Sequence, residues 1–102
     1  MHWFIMSHYI ILVNFTDQGF KNIKDSPKRA EAFKSAVEKK GGKVIQLYYT
    51  LGKHDIVAVV EAPNDEAIAS VLYFTGSLGN VRTRTLKAFP MSEAAKIIEN
   101  LS

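Results

Sequence analysis

The chain has 102 residues, 47% of them hydrophobic and 23% charged, with no cysteine and a formal net charge of +3. That length sets one domain with a core of modest size, and the composition excludes a disordered chain and a coiled coil. The thirteen Lys and Arg are scattered, so no nucleic-acid footprint is expected, and the lack of cysteine removes disulfides, thiolate nucleophiles and Cys-based zinc sites, which fits a reducing cytoplasm.

The opening Met1-His2-Trp3-Phe4-Ile5-Met6 is apolar, carries no Lys or Arg, and is too short for a signal segment or a membrane span. Residues 1–7 read as an extension, with either Met6 as the initiator or a small packed arm. The first strand runs from about His8 to Asn14, and its centre, Tyr9-Ile10-Ile11-Leu12-Val13, is apolar on both faces. A polar stretch from Phe15 to Asn22 has room for one helical turn. Ser26 then caps a helix with Pro27 at its first position, where a missing N–H costs nothing. Ala30, Phe33, Ala36 and Val37 form its apolar stripe, and Gly41-Gly42 ends it.

A second strand from about Lys43 to Thr50 and a third from about Asp55 to Ala62 are joined through Gly52 as an antiparallel hairpin. The third contains Ile56-Val57-Ala58-Val59-Val60, again with no polar side chain on either face. Asn64 caps a second helix, and Asp65 and Glu66 sit well at its positive end. Ile68, Val71, Leu72 and Thr75 keep helical spacing, and the helix stops near Gly76 or Gly79. A fourth strand spans about Val81 to Ala88, and Met91 to Leu101 closes the chain as a short helix with Ala94, Ile97, Ile98 and Leu101 on one side.

The order βαββαβ plus a helical tail is that of a ferredoxin-like α+β fold with antiparallel sheet order 4-1-3-2. Residues 8–90 make that domain and residues 91–102 the tail. The two strands that are apolar on both faces take the central positions, and the fourth, with Arg82, Arg84 and Lys87, reads as a protected edge. Helices cover only one face of such a sheet. The other carries half of Tyr9, Ile11, Val13, Ile56, Ala58 and Val60, or their neighbours, and leaving them wet is costly. A second copy packed face to face, giving a dimeric α/β barrel, resolves this, so a homodimer or higher homo-oligomer is expected.

The topology brings three polar segments to one end of the sheet: Asn14 to Lys24, Thr50 to Asp55, and Ser77 to Arg82. Loops on a rigid frame favour a site there. The candidate ligand contacts are Asn14, Thr16, Gln18, Tyr48, Lys53, Asn80 and Arg82; Tyr48-Tyr49 places one ring on each face of its strand, one packing and the other lining an intersubunit cavity, and solvated turn residues and core packing are the alternatives. His54 is the histidine inside this convergence and suits proton transfer, with Asp17 or Asp55 to orient it, although strand neighbours point to opposite faces. Arg82 and Arg84 point the same way and can clamp an anion or guard the edge. His2, His8 and His54 lack ligand spacing, so no metal is expected, and no cofactor is implied. Gly76-Ser77-Leu78-Gly79-Asn80 ends a helix rather than opening one, so it is no phosphate loop. The third strand has no aromatic residue, which argues against an RNA-recognition module and against nucleic acid as a partner.

Phe15-Thr16-Asp17-Gln18-Gly19, Ser26-Pro27-Lys28-Arg29, the hairpin Thr50-Leu51-Gly52-Lys53-His54-Asp55 with Val59-Val60-Glu61-Ala62-Pro63, and Gly76-Ser77-Leu78-Gly79-Asn80-Val81-Arg82-Thr83 together resemble the GYD domain family over about residues 6–90. The family takes its name from a Gly-Tyr-Asp signature at the hairpin. Gly52 and Asp55 match it, while His54 stands where an aromatic hydroxyl is expected, which weakens any role for a Tyr hydroxyl there. The resemblance implies a dimeric α/β-barrel relationship and no established activity; wider relatives include effector-binding domains of transcription regulators, cofactor-free monooxygenases and small isomerases. The leading expectation is a cytoplasmic homo-oligomer binding a small metabolite at the loop-convergence end. The alternatives are a small cofactor-independent oxygenase or isomerase using His54, and a structural or protein-interaction subunit.

Overall fold

The structure, a computed structural model, describes residues 5–101. Residues 1–4, part of the expected extension 1–7, lie outside the described residues, as does Ser102. The elements are β1 (Ser7–Phe15), α1 (Asp17–Lys21), a 3-10 turn (Ile23–Asp25), α2 (Ser26–Lys39), β2 (Lys43–Tyr49), β3 (Ile56–Ala62), α3 (Asp65–Ser77), β4 (Val81–Ala88) and α4 (Met91–Glu99). The four strands form one antiparallel sheet in the order β2-β3-β1-β4, the ferredoxin-like arrangement that the patterning predicts.

The register settles which residues share a face. Tyr9 lies opposite Val60, Ile11 opposite Ala58 and Val13 opposite Ile56. All six therefore point to the side covered by α2 and α3, where they join Val37, Ala62, Ile68, Val71 and Val81 in the core. The uncovered side carries their neighbours instead: Ile10 opposite Val59 and Leu12 opposite Val57, each half-buried, with His8 opposite Glu61. An alternating strand cannot divide Tyr9, Ile11 and Val13 between two faces, because every second residue repeats the same direction.

Several boundaries shift for local reasons. The polar stretch after β1 folds into α1, capped by Thr16, whose hydroxyl accepts the Gly19 N–H at 3.2 Å. A Cβ on Gly19 would stand 2.0 Å from the Asn80 carbonyl oxygen, so α1 lies directly on the segment entering β4 and only glycine permits it. Ser26 is not the cap of α2. Asp25 holds that position without a side-chain hydrogen bond, and Ser26 is instead buried with its hydroxyl 2.7 Å from that of Tyr49. The 3-10 turn already shapes the entry to α2, which frees the Ser26 side chain to bond inward. Thr50 and Asp55 fall in the turn rather than in strands, since the Thr50 N–H donates to the Asp55 carbonyl and closes the hairpin ahead of the β2–β3 ladder. The Asn64 cap of α3 forms as expected, accepting the Ala67 N–H at 2.8 Å.

At the far end of the chain α4 packs substantially against no other element among the described residues, and Ile97 and Ile98 on its apolar side are exposed. No helix among the described residues is long and apolar enough to cross a membrane.

Candidate functional site

The C-terminal end of β1 gathers the three polar segments. The Asn14 amide nitrogen donates to the Lys53 carbonyl at 2.7 Å, which turns its oxygen toward the His54 ring, 3.1 Å from Nδ1. An amide oxygen only accepts, so the Nδ1–H is the donor in this contact. The Asp55 carboxylate does not meet His54; it accepts the Phe15 N–H at 2.9 Å, while the Asp55 N–H donates to the Val13 carbonyl. Thr50 Oγ1 donates to the His54 carbonyl at 2.6 Å. The Asp of the hairpin signature thus pins the turn to the end of β1. Asp17 sits exposed in the first turn of α1, with no hydrogen bond or ion pair to His54 among the described residues.

The second junction ties α1 to the loop before β4. Thr16 Oγ1 donates to the Gly79 carbonyl at 2.6 Å, and the Thr16 N–H donates to the Asn80 carbonyl at 3.0 Å. Gln18 Nε2 reaches the Leu78 carbonyl at 3.1 Å and Asn80 Oδ1 at 3.0 Å. Asn14, Thr16, Gln18, Asp55 and Asn80 are thereby brought together, with much of their polar capacity used on one another's loops. Tyr48, opposite Val57, and Arg82, opposite Asn14, face the uncovered side of the sheet, and Arg84 does the same opposite Leu12. Neither arginine makes an ion pair among the described residues. Tyr49 faces the helices through its bond to Ser26, so the two tyrosines divide between the faces as the alternation predicts. No cluster of His, Asp or Glu suited to a metal occurs among the described residues.

On the helical side lies a feature that local pattern does not reveal: an apolar cavity of about 130 Å³ between α2, α3 and the sheet, partly open to solvent beside Phe74 and Leu78. Its floor includes Ile11 and Ala58, its α2 wall Ala30, Phe33 and Ala36, and its opposite wall Phe74 of α3 and Leu78 just beyond the end of that helix. Arg29, Ser26, Thr75, Thr83 and Asn80 add polar groups to the lining. Arg29 donates to the carbonyls of Asn22 at 3.0 Å and Gly19 at 3.4 Å. The alanine stripe of α2 is the one sequence signal for this space, and by itself it reads as ordinary packing.

A second unforeseen group lies where the start of α3 meets β4. The buried Tyr9 hydroxyl donates to Asp65 Oδ1 at 2.5 Å, and Lys87 Nζ contacts the same oxygen at 2.9 Å. Burial, reinforced by the bond to Asp65, pushes the Tyr9 phenol up to about 12. The hydrogen bonds from Tyr9 and then Lys87 hold the Asp65 carboxyl below its ordinary value. Three segments distant in the sequence are stapled by one carboxylate.

The profile of the GYD domain matches residues 9–98. A glutamine synthetase and cystathionine beta-lyase binding protein of Thermus thermophilus is 33% identical over 89 residues, covering 86% of this chain and 94% of the relative. Among solved structures, the leucine response regulatory protein of Mycobacterium tuberculosis superposes with a TM-score of 0.62 at 20% identity, covering 83% of this chain and 51% of that one. A feast or famine regulatory protein of the same organism, complexed with L-methionine, gives 0.63 at 20% identity and the same coverage. The chain spans about half the length of these regulators, and the likeness is one of fold. A solved Thermus thermophilus protein of matching size superposes with a TM-score of 0.54 at 26% identity, covering 83% of this chain and 95% of that one. The profile match across most of the sequence, together with a relative matched over nearly its whole length, shows that this chain belongs to the GYD domain family.

Proposed function

We propose that this chain is a binding module of the cytoplasm that pairs with a second copy through the uncovered face of its sheet and acts by docking onto other proteins. The observation that carries this reading is that face itself. Ile10, Leu12, Val57 and Val59 lie side by side on the two central strands with no layer over them among the described residues, and Tyr48 and Leu86 extend the patch to both edges. Covering what remains exposed of the four central side chains stabilises a pair by on the order of 1 kcal/mol each. The charges favour a second copy as the cover. Arg82 and Arg84 stand at the loop end, while Glu61 stands at the other end with Glu93 nearby, both within 4 Å of His8 and outweighing the single Lys43 across from Glu61. When the strands of two copies run in opposite directions, the arginines of one approach the glutamates of the other.

Docking onto enzymes is supported by the relative named for binding glutamine synthetase and cystathionine beta-lyase. A small ligand is favoured separately by the helical-side cavity. At the loop end, Tyr48 and Arg82 point to the pairing face, and the turn residues Lys53 and His54 are tied to Asn14 on the same face, so a metabolite touching them would sit between two copies.

Sedimentation velocity across a dilution series tests the pairing. The wild type is expected to sediment as a dimer or a multiple of it, and Leu12→Glu as a folded monomer with an unchanged circular dichroism spectrum. A wild type that stays monomeric at high protomer concentration overturns the reading. Docking is checked with purified glutamine synthetase and cystathionine beta-lyase from the source organism on a biosensor surface.

A further inference from the structure

The cavity beneath α2 and α3 lies on the opposite side of the sheet from the pairing face, and its size, walls and charge specify an occupant. We propose that it binds a small carboxylic acid with a compact branched or aromatic hydrocarbon body and no amino group. At about 130 Å³ it is close to the roughly 150 Å³ of an apolar cavity that accepts benzene. Alanines at positions 30 and 36 keep α2 thin where larger side chains would fill the space, and Phe74, 62% exposed, stands at the α3 edge. Such walls offer water few partners and suit a hydrocarbon.

The polar side of the lining is asymmetric. Arg29 is its one charged residue, and no Asp or Glu lines it. Two bonds to the carbonyls of Gly19 and Asn22 hold the guanidinium at the α1 end without neutralising it, and Arg29 makes no ion pair among the described residues. The hydroxyl of Thr75 is taken by the Val71 carbonyl, and that of Ser26 by Tyr49. Asn80 and Thr83 add neutral polar groups, so the remaining guanidinium N–H groups of Arg29 are the charged donors beside the cavity, and a carboxylate is the acceptor that matches their planar fork. An ammonium group on the same ligand would be desolvated with no anion to meet it, which selects against free amino acids.

The test uses the intact chain and four probes: isocaproate, phenylacetate, leucine (the isocaproate skeleton with an added ammonium) and isohexanol (the same skeleton without charge). Calorimetric titration is expected to show at least one of the two acids binding, and leucine binding at least about tenfold more weakly than isocaproate, the cost of one unpaired buried charge. Arg29→Gln should weaken the bound acid about tenfold, the loss of one charge-assisted bond, while leaving isohexanol affinity as in the wild type. Ala36→Leu, which fills the cavity, should abolish acid binding; Ala30→Leu serves if that variant does not fold. The proposal is overturned if neither acid binds, if leucine matches isocaproate, if Arg29→Gln leaves acid affinity unchanged, or if a folded filled variant binds as the wild type does. Sedimentation of the same samples keeps the two readings apart, because acid binding by a monomeric wild type refutes the pairing and leaves this site standing.

Discussion

Replacing Ala36 by Leu should make the free protein more stable, the reverse of what a typical core substitution does. Residual core volume costs about 24 cal/mol per Å³, so a 130 Å³ cavity sets a ceiling of about 3 kcal/mol on what filling it can return. Leucine adds three carbons, worth about 0.8 kcal/mol each when buried, against roughly 0.5–1 kcal/mol of lost side-chain freedom. A net gain of about 1–2 kcal/mol is expected, and for a domain of this size that raises Tm by roughly 5–10 °C. Urea denaturation and differential scanning calorimetry at one fixed protomer concentration measure it, since pairing makes both midpoints concentration-dependent. A loss of more than about 1 kcal/mol, the signature of overpacking, would mean that α2 already meets the sheet at this position and that the cavity reasoning fails.

Two further expectations follow from hydrogen bonds. Asp55→Ala removes the acceptor of the Phe15 N–H and should destabilise the protein by roughly 1–3 kcal/mol; a variant as stable as the wild type in urea would release Asp55 from its structural role and return it to the list of candidate catalytic groups. Tyr9 keeps its proton to about pH 12 in the folded protein, whereas an unfolded tyrosine loses it near 10. Its contribution is therefore complete below pH 10 and declines as pH rises from 10 to 12, by on the order of 2 kcal/mol in all. Stability measured over that range should fall more steeply in the wild type than in Tyr9→Phe, and parallel curves would refute the shift.

The fold was legible because it is written in local signals that agree. Ile56-Val57-Ala58-Val59-Val60 and Tyr9-Ile10-Ile11-Leu12-Val13 are apolar on both sides, which fits the central places they take beside each other. The cap at Asn64 and the turn through Gly52 mark their elements correctly. Where a residue's partner lies far along the chain, sequence gives less. Ser26 has the composition of a cap, yet its hydroxyl answers to Tyr49, twenty-three positions away. The convergence of polar loops could be derived from topology, but not that Asn14, Thr16 and Gln18 would bond to the carbonyls of Lys53, Gly79 and Leu78, because a backbone acceptor has no letter of its own. The cavity was invisible for a related reason. It is a space between α2 and α3, and spacing along one helix says nothing about the distance to the next. Arg29, quoted only as part of a motif, gained its meaning from the apolar walls around it.

The nine-residue α4 has a separate consequence. Helices shorter than about 12–15 residues are marginal in water when left to themselves, and among the described residues this one packs substantially against no other element, touching the sheet chiefly where Glu93 approaches His8. Its opening need not wait for the rest of the molecule, so the last two turns belong to a faster clock than the sheet. Ile97 and Ile98 spend that time offering oil to whatever passes, and the first surface able to accept it will also be what winds the tail tight.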